Sequence, residues 1–410
     1  MLSCTPMLPV TPLQARRNLR RYRWINFLAG LAFLSPVVQL FYTHMGLSLY
    51  QIILLSNIGT LCVWLLELPT SVLADTTGRK RSLVFSVSAH FMAVLVLLLS
   101  PQWWGFVASA VLGALYYSFW SGTGQAFLEE NLRVLGEEQT FGRAIGHLMF
   151  LENLASFLTP LLASWLLKNF PDTGYQVLLW FDAVVGLALV VLTLQLRELP
   201  GRQHFTTLRS AWQANVQTAR TALRHIGRDA KLRLLLFYRS LGNHVAYFPI
   251  ILLPTLEAQG MPVWYAGVLM AGASIATMLA NKYVYRFGER YGYSRAWVYA
   301  TTLQGLLCVL AGCWLGHWWV VAGLFLLFSG CDGVWQPAWN HTLVEHTQGA
   351  SIATTRSIIF SVFALYTTLG KQLLGLLPVG VALLSIGGVL LVVNALLGRK
   401  MLHLGHSPAS

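Results

Sequence analysis

Glu152 and Asn153 stand side by side inside the apolar run 144–168, where an acid has few chemical uses. On a helix that starts near residue 144, Glu152 lies ~12 Å along the axis at ~1.5 Å per residue, well within a hydrocarbon layer ~30 Å thick. An ionised carboxylate is costly there unless it is paired or faces a water-filled cavity. Glu152 therefore carries a proton, neutralises a cationic substrate, or makes a structural polar contact. Asp332 poses the same question in the second half of the chain. It falls ~22 Å into a run that begins near His317, and Trp335, Gln336 and Trp339 follow it at spacings of three, four and seven. On a helix these residues form a wall where indole faces stack on a flat or cationic ligand while the carboxylate orients it. Packing of the two tryptophans between helices is the competing reading.

A second group of polar residues sits at the ends of apolar runs. Gln125 and Glu129 are i,i+4 neighbours, and Tyr117 precedes Gln125 by eight positions. Glu67 and Glu129 suit a gate, although an acid at a helix end also serves simply to reach interfacial water. The stretch Ser71-Val-Leu-Ala-Asp75-Thr-Thr-Gly78-Arg79-Lys80-Arg81 combines an acid at a helix end, a glycine at a turn and three cations. Asp75 can accept hydrogen bonds from the exposed N-terminus of a facing helix, whose dipole favours its charge. The cations can pair with acids or with lipid phosphate. Together these groups suit a reversible latch at a membrane surface, against the plainer reading of a solvated basic turn.

Such residues need a membrane scaffold, and the composition supplies one. With 56% hydrophobic and 10% charged residues among 410, and a mean hydropathy of +0.59, much of the surface must face lipid. Apolar runs long enough to span occur at 24–43, 49–70, 82–100, 103–128, 144–168, 175–196, 233–256, 263–283, 295–314, 317–339, 352–373 and 377–397. The pattern predicts an all-α polytopic protein with twelve transmembrane helices. The formal charge of +13 lies in short segments between these runs, which excludes nucleic acid as a partner and leaves anionic lipid. On the twelve-span layout, 26 of the 28 Lys and Arg residues fall on one side, only Lys168 and Lys371 falling near the other. The positive-inside rule then places both termini in the cytoplasm of an inner or plasma membrane.

The longest polar interruption divides the chain. It predicts a cytoplasmic tail at 1–23, a six-helix bundle at 24–196, a linker at 197–232, a second six-helix bundle at 233–397 and a cytoplasmic tail at 398–410. Within the linker, Trp212, Val216, Ala219 and Leu223 share one face of an amphipathic helix beside Arg209, Arg220 and Arg224, suited to resting on lipid or docking another protein. A faint internal repeat supports the two halves. Asp75, Gly78 and Arg81 find counterparts in Glu289, Gly292 and Arg295, and Ser121-Gly122-Thr-Gly124 in Ser329-Gly330-Cys-Asp332.

On these residues the chain resembles the major facilitator superfamily along nearly its whole length. Asp75, Gly78, Arg79, Lys80 and Arg81 match the family's loop signature between helices two and three, with Ser71 in the usual first glycine position. The resemblance implies two pseudo-symmetric bundles working by alternating access, with the eleventh helix, near Arg356, as the partner of Asp75. Glu67-Leu-Pro69-Thr70 also resembles drug-efflux members, which implies a proton antiporter. The expectation is export of a small amphipathic molecule in exchange for protons by a monomer. Import of a nutrient or siderophore by proton symport, and a non-transporting sensor or scaffold, are the alternatives. Neither a metal-ligand array nor a phosphate-binding loop occurs, and no local nucleophile and base pair marks an enzyme, so neither cofactor nor catalysis is expected.

Overall fold

The computed structural model describes residues 12–198, 247–346 and 368–404, together with scattered positions between 209 and 234. All of the regular structure there is helical. In chain order the α-helices are α1 (Pro12–Gly30), α2 (Val38–His44), α3 (Leu49–Thr77), α4 (Arg79–Leu99), α5 (Trp103–Val134), α6 (Phe141–Asn169) and α7 (Gly174–Leu194). They continue as α8 (Tyr247–Ala258), α9 (Tyr265–Tyr291), α10 (Tyr293–Cys313), α11 (Trp318–His346) and α12 (Val379–Leu404). Among the described residues, eight segments are long and apolar enough to cross a membrane, so the protein is a multi-pass membrane protein. The expected spans at 103–128 and 263–283 fall in α5 and α9, which are long helices but not among those eight. The expected span 233–256 is described mainly from α8 onward. Residues 352–367 of another lie outside the described residues, as do Trp212, Ala219 and Leu223 of the linker.

Two compact units account for the described chain, and each has its own interior. The first comprises residues up to Ser35, Ile58–Thr159 and Asp172–Val216. Tyr22, Ile25, Leu83, Val87, Phe127, Leu132, Leu148 and Leu189 fill its core, drawn from α1, α4, α5, α6 and α7. Exposed Trp180, Val184, Leu187, Val191 and Leu194 make an apolar stripe along α7 at spacings of three and four, as a lipid-facing surface requires. The second unit comprises Pro36–Asn57, Pro160–Pro171 and the chain from Gln217. Its interior includes Phe248 against Phe325 and Phe328, with centroids 5.8 and 5.1 Å apart, and the fully buried Trp297.

The first spanning segment is broken. Residues 31–34 leave the helix after Gly30, a short 3₁₀ turn follows at Ser35–Val37, and α2 begins at Val38. Gly30 is required by close approach, since a Cβ there would lie 2.6 Å from the Glu152 carbonyl oxygen and 2.9 Å from the Ala155 Cβ. A break inside a bilayer must have its freed backbone groups satisfied. Asp182 of α7 supplies the acceptors: Phe33 and Leu34 donate their N–H groups to its two carboxylate oxygens at 2.7 and 3.0 Å.

The two echoing turns also share a backbone shape. Gly78 before α4 has φ 101 and ψ 157, and Gly292 before α10 has φ 91 and ψ 139. Gly78→Ala is expected to lower stability by about 1–3 kcal/mol, because a side chain cannot adopt that conformation without strain. Gly113→Ala, in open space on α5, is the control. Thermal unfolding in detergent reads both, and equal melting temperatures for Gly78→Ala and the parent would refute the assignment.

Candidate functional site

In the first unit, the site is built on the polar faces of α5 and α6. Tyr117, Ser121, Gln125 and Glu129 recur every four residues on α5 and are all exposed. Polar side chains kept exposed on a spanning helix look toward water rather than lipid, in contrast to the apolar stripe of α7. Glu152 and Asn153 are likewise exposed on α6. The Glu152 carboxyl lies within electrostatic reach of the Tyr22 and Tyr116 hydroxyls. Those rings belong to an aromatic group beneath the polar surface: Tyr22 stacks on Trp120 at 6.3 Å, Trp120 meets Tyr116 at 5.8 Å, and Tyr116 meets His90 at 4.9 Å. Asn26 on α1 faces the same group and donates to the Tyr22 carbonyl at 2.8 Å. Glu152 thus sits beside a firm aromatic bed that no local sequence pattern announced.

Asp332 is placed differently in the second unit. Gln304 of α10, almost fully buried, donates to its Oδ1 at 2.8 Å and joins α10 to α11. Trp335 is 9% exposed, so it contributes more to packing than to an open wall. Gln336 and Trp339 lie on α11, but their side chains are outside the described residues. Elsewhere in this unit Asn57 donates to Gln372 Oε1 at 2.7 Å, while Asn57 Oδ1 and Gln372 Nε2 find no partner among the described residues.

The basic turn organises a separate cluster at the end of α4 in the first unit. Glu198, just beyond α7, accepts the Lys80 N–H with both oxygens at 3.2 and 3.0 Å. It thereby caps the α4 N-terminus, where the helix dipole favours a negative charge. Its carboxylate also lies where a side chain at Gly78 would project. Arg79 Nε pairs with Glu130 Oε1 at 3.4 Å. Burial pushes the Glu130 carboxyl up and outweighs the lowering by Arg79. Arg133 bridges Glu129 at 2.6 Å and Glu138 at 3.1 Å. Asn18 closes the cluster by exchanging two hydrogen bonds of 3.0 Å with the Arg197 backbone.

The remaining expected gate residues are more dispersed. Glu67 is half-buried on α3 near Pro69, and Ser71 follows one turn later. Asp75 is on the last turns of α3, its side chain outside the described residues, and Arg356 lies outside them altogether. Arg81 and Glu289 are exposed, and Arg295 is half-buried on α10. Sequence reasoning missed Glu198 and Asp182, two acids that the described structure anchors by paired backbone hydrogen bonds, whereas Glu130 meets the basic turn as its place at the helix end suggests. A glycine-started helix followed far along the chain by Arg197-Glu198-Leu199-Pro200 offered no local signal for the cap.

Residues 25–371 match the model of the Major Facilitator Superfamily, and the chain belongs to that family. Membership makes it a membrane transport protein and bears out the non-enzymatic expectation. No curated protein matches it significantly. Among solved structures it is similar to nucleoside transporter NupG in a mutant form, with a TM-score of 0.75 at 11% identity over 96% of this chain and 100% of that one. A second structure of nucleoside transporter NupG gives a TM-score of 0.70, again at 11% identity, over 95% and 98% of the two chains.

These likenesses correct the expectation of an exporter resembling drug-efflux antiporters. The structures matched are of a nucleoside transporter and not of a drug-efflux antiporter. Physically, the Glu67–Gly78 pattern shapes a helix end and a turn and carries no information about direction. Trp335, packed inside its unit, presents no open aromatic face.

The charge cluster yields two stability predictions. Glu198→Ala is expected to cost about 0.5–2 kcal/mol, the range for a lost helix cap, and unchanged thermal unfolding would count against the cap. Because Glu130 titrates above its ordinary value of 4.5, the stability tied to its protonated form is present below that value and is lost as pH rises through its native value. Glu130→Gln should therefore gain stability relative to the parent as pH rises. A melting-temperature difference independent of pH would contradict this.

Proposed function

We propose that the protein imports a small polar nutrient by proton symport, with nucleosides as the first substrate class to test. Twelve spanning helices in two six-helix bundles, 24–196 and 233–397, would alternate access to a central cavity in an inner or plasma membrane. Both termini would be cytoplasmic, as the Lys and Arg distribution suggests. The linker 197–232 would lie on anionic lipid, and the working unit would be a monomer.

The observation that carries the reading is Glu152, exposed on a spanning helix within electrostatic reach of the Tyr22 and Tyr116 hydroxyls. A carboxyl at such a position can bind a proton and change the charge of the cavity between states. Asn153 and Gln125 would hydrogen-bond the substrate, and the aromatic group would hold the face a flat ligand stacks on. Asp332, Gln336 and Trp339 would complete the binding surface from the second half, with Trp335 packed behind them. The likeness to a nucleoside transporter supports the choice of a flat, uncharged ligand bearing hydroxyls.

Gating would rest with Ser71, Asp75, Gly78, Arg79, Lys80 and Arg81, with Glu67 and Glu129 nearby. Arg356 would mark the facing helix, and Glu289, Gly292 and Arg295 would form the corresponding turn in the second half. Asp75 would bind the facing helix end when the cytoplasmic side is closed and release it when that side opens.

Purified protein in liposomes should accumulate labelled uridine when the outside is acidified. Glu152→Gln should reduce gradient-driven accumulation by about tenfold, a loss of ~1.4 kcal/mol, while retaining uridine counterflow across equal pH. Asp332→Asn should weaken uridine binding. Parent-like accumulation by Glu152→Gln would remove that residue's proton role, and an absence of nucleoside uptake by the parent would remove the substrate class.

A further inference from the structure

Asp182 is an acid that neither the sequence motifs nor the proposed substrate site uses. It is 7% exposed on α7, a helix whose other buried positions are mostly apolar or small. Both carboxylate oxygens are occupied by the backbone N–H groups of Phe33 and Leu34. Phe181, its neighbour, packs against Phe33 at 5.4 Å and closes the same junction.

The position of the capped pair along the chain gives the contact a consequence. Between Ser35 and Pro36 the chain passes from the first compact unit to the second, directly after the two capped residues. Upstream, α1 carries Tyr22 and Asn26 to the candidate site, and Gly30 is seated on the Glu152 backbone. Downstream, α2 belongs to the other unit. A continuous helix would transmit any rotation of one segment to the other through its hydrogen-bond ladder. Here the ladder is interrupted, and a side-chain carboxylate takes its place.

We propose that Asp182 is a positioning residue of the transport cycle: it holds the chain at the break in the course that seats Gly30 against the Glu152 backbone, and so keeps Glu152 in place. The assignment rests on transport by alternating access, and one of its tests needs no substrate. Losing the acceptor would leave two backbone donors unsatisfied in an apolar interior, so the break itself should loosen first. Asp182→Asn keeps the shape but has only one acceptor oxygen, and Asp182→Glu keeps the charge.

Hydrogen–deuterium exchange of the full-length protein in lipid nanodiscs reads the break directly. Asp182→Asn and Asp182→Ala should exchange residues 31–37 about tenfold faster, the effect expected for losing a hydrogen bond to a charged group, while residues 12–30 and α4 keep parent rates. Asp182→Glu should recover much of the protection. Parent-like exchange at 31–37 in both variants, or equal loosening of α4, would overturn the pinning role.

In liposomes, uridine turnover by Asp182→Asn should fall about tenfold while its uridine Kd stays within about threefold of the parent. Parent-like turnover, or equal losses in affinity and rate, would overturn the link to the cycle. If uridine proves not to be carried, the nucleoside reading fails, while the exchange measurement still decides whether Asp182 pins the break.

Discussion

A backbone N–H or C=O left unpaired in hydrocarbon is intolerably costly, and the rest of this structure is arranged around that constraint. Unbroken helices satisfy it internally. Where a helix must stop or bend, another residue has to arrive from elsewhere in the chain. Asp182 does this for Phe33 and Leu34 at the break in the first spanning segment, and Glu198 does it for Lys80 at the start of α4. Both are carboxylates that accept backbone N–H groups left free by a helix, and at the α4 N-terminus the helix dipole acts in the same direction as the hydrogen bonds.

The same constraint separates polar residues that hold the fold from those available to a substrate. Gln304 and Asp332 consume part of each other's bonding capacity inside one unit. Glu152, Asn153 and Gln125 remain exposed on helices otherwise suited to a membrane. A transporter needs both kinds: rigid polar ties to preserve each packed body, and open polar groups to exchange water for ligand. The aromatic group of Tyr22, Tyr116, Trp120 and His90 serves the first purpose while bordering the second.

Particular residues show why the chain was readable in some places and silent in others. Gly78 was legible because a glycine between an apolar run and a basic cluster signals a turn, and its φ of 101 is one that side chains avoid. Glu152 was legible because a single acid stands out in an apolar run. Asp182 stands out in the same way, yet its importance depends on a break in the first spanning segment, 148 residues away; Ser35-Pro36 marks that break in the sequence but does not say which residue satisfies it. Trp335 illustrates the opposite error. Helical spacing correctly places it on the Asp332 helix, but periodicity does not say whether an indole faces a cavity or a neighbouring helix.

Apolar run length, the segregation of cations and the Asp75–Arg81 turn determined the membrane class, the all-helical architecture and the superfamily, because hydrophobic thickness and turn chemistry are local properties of a chain. Tertiary structure alone decided that Asp182 holds a broken helix, that Glu198 caps α4, and that Glu152 lies beside Tyr22 and Tyr116. Each of those relations joins residues far apart in sequence, and only packing brings them together.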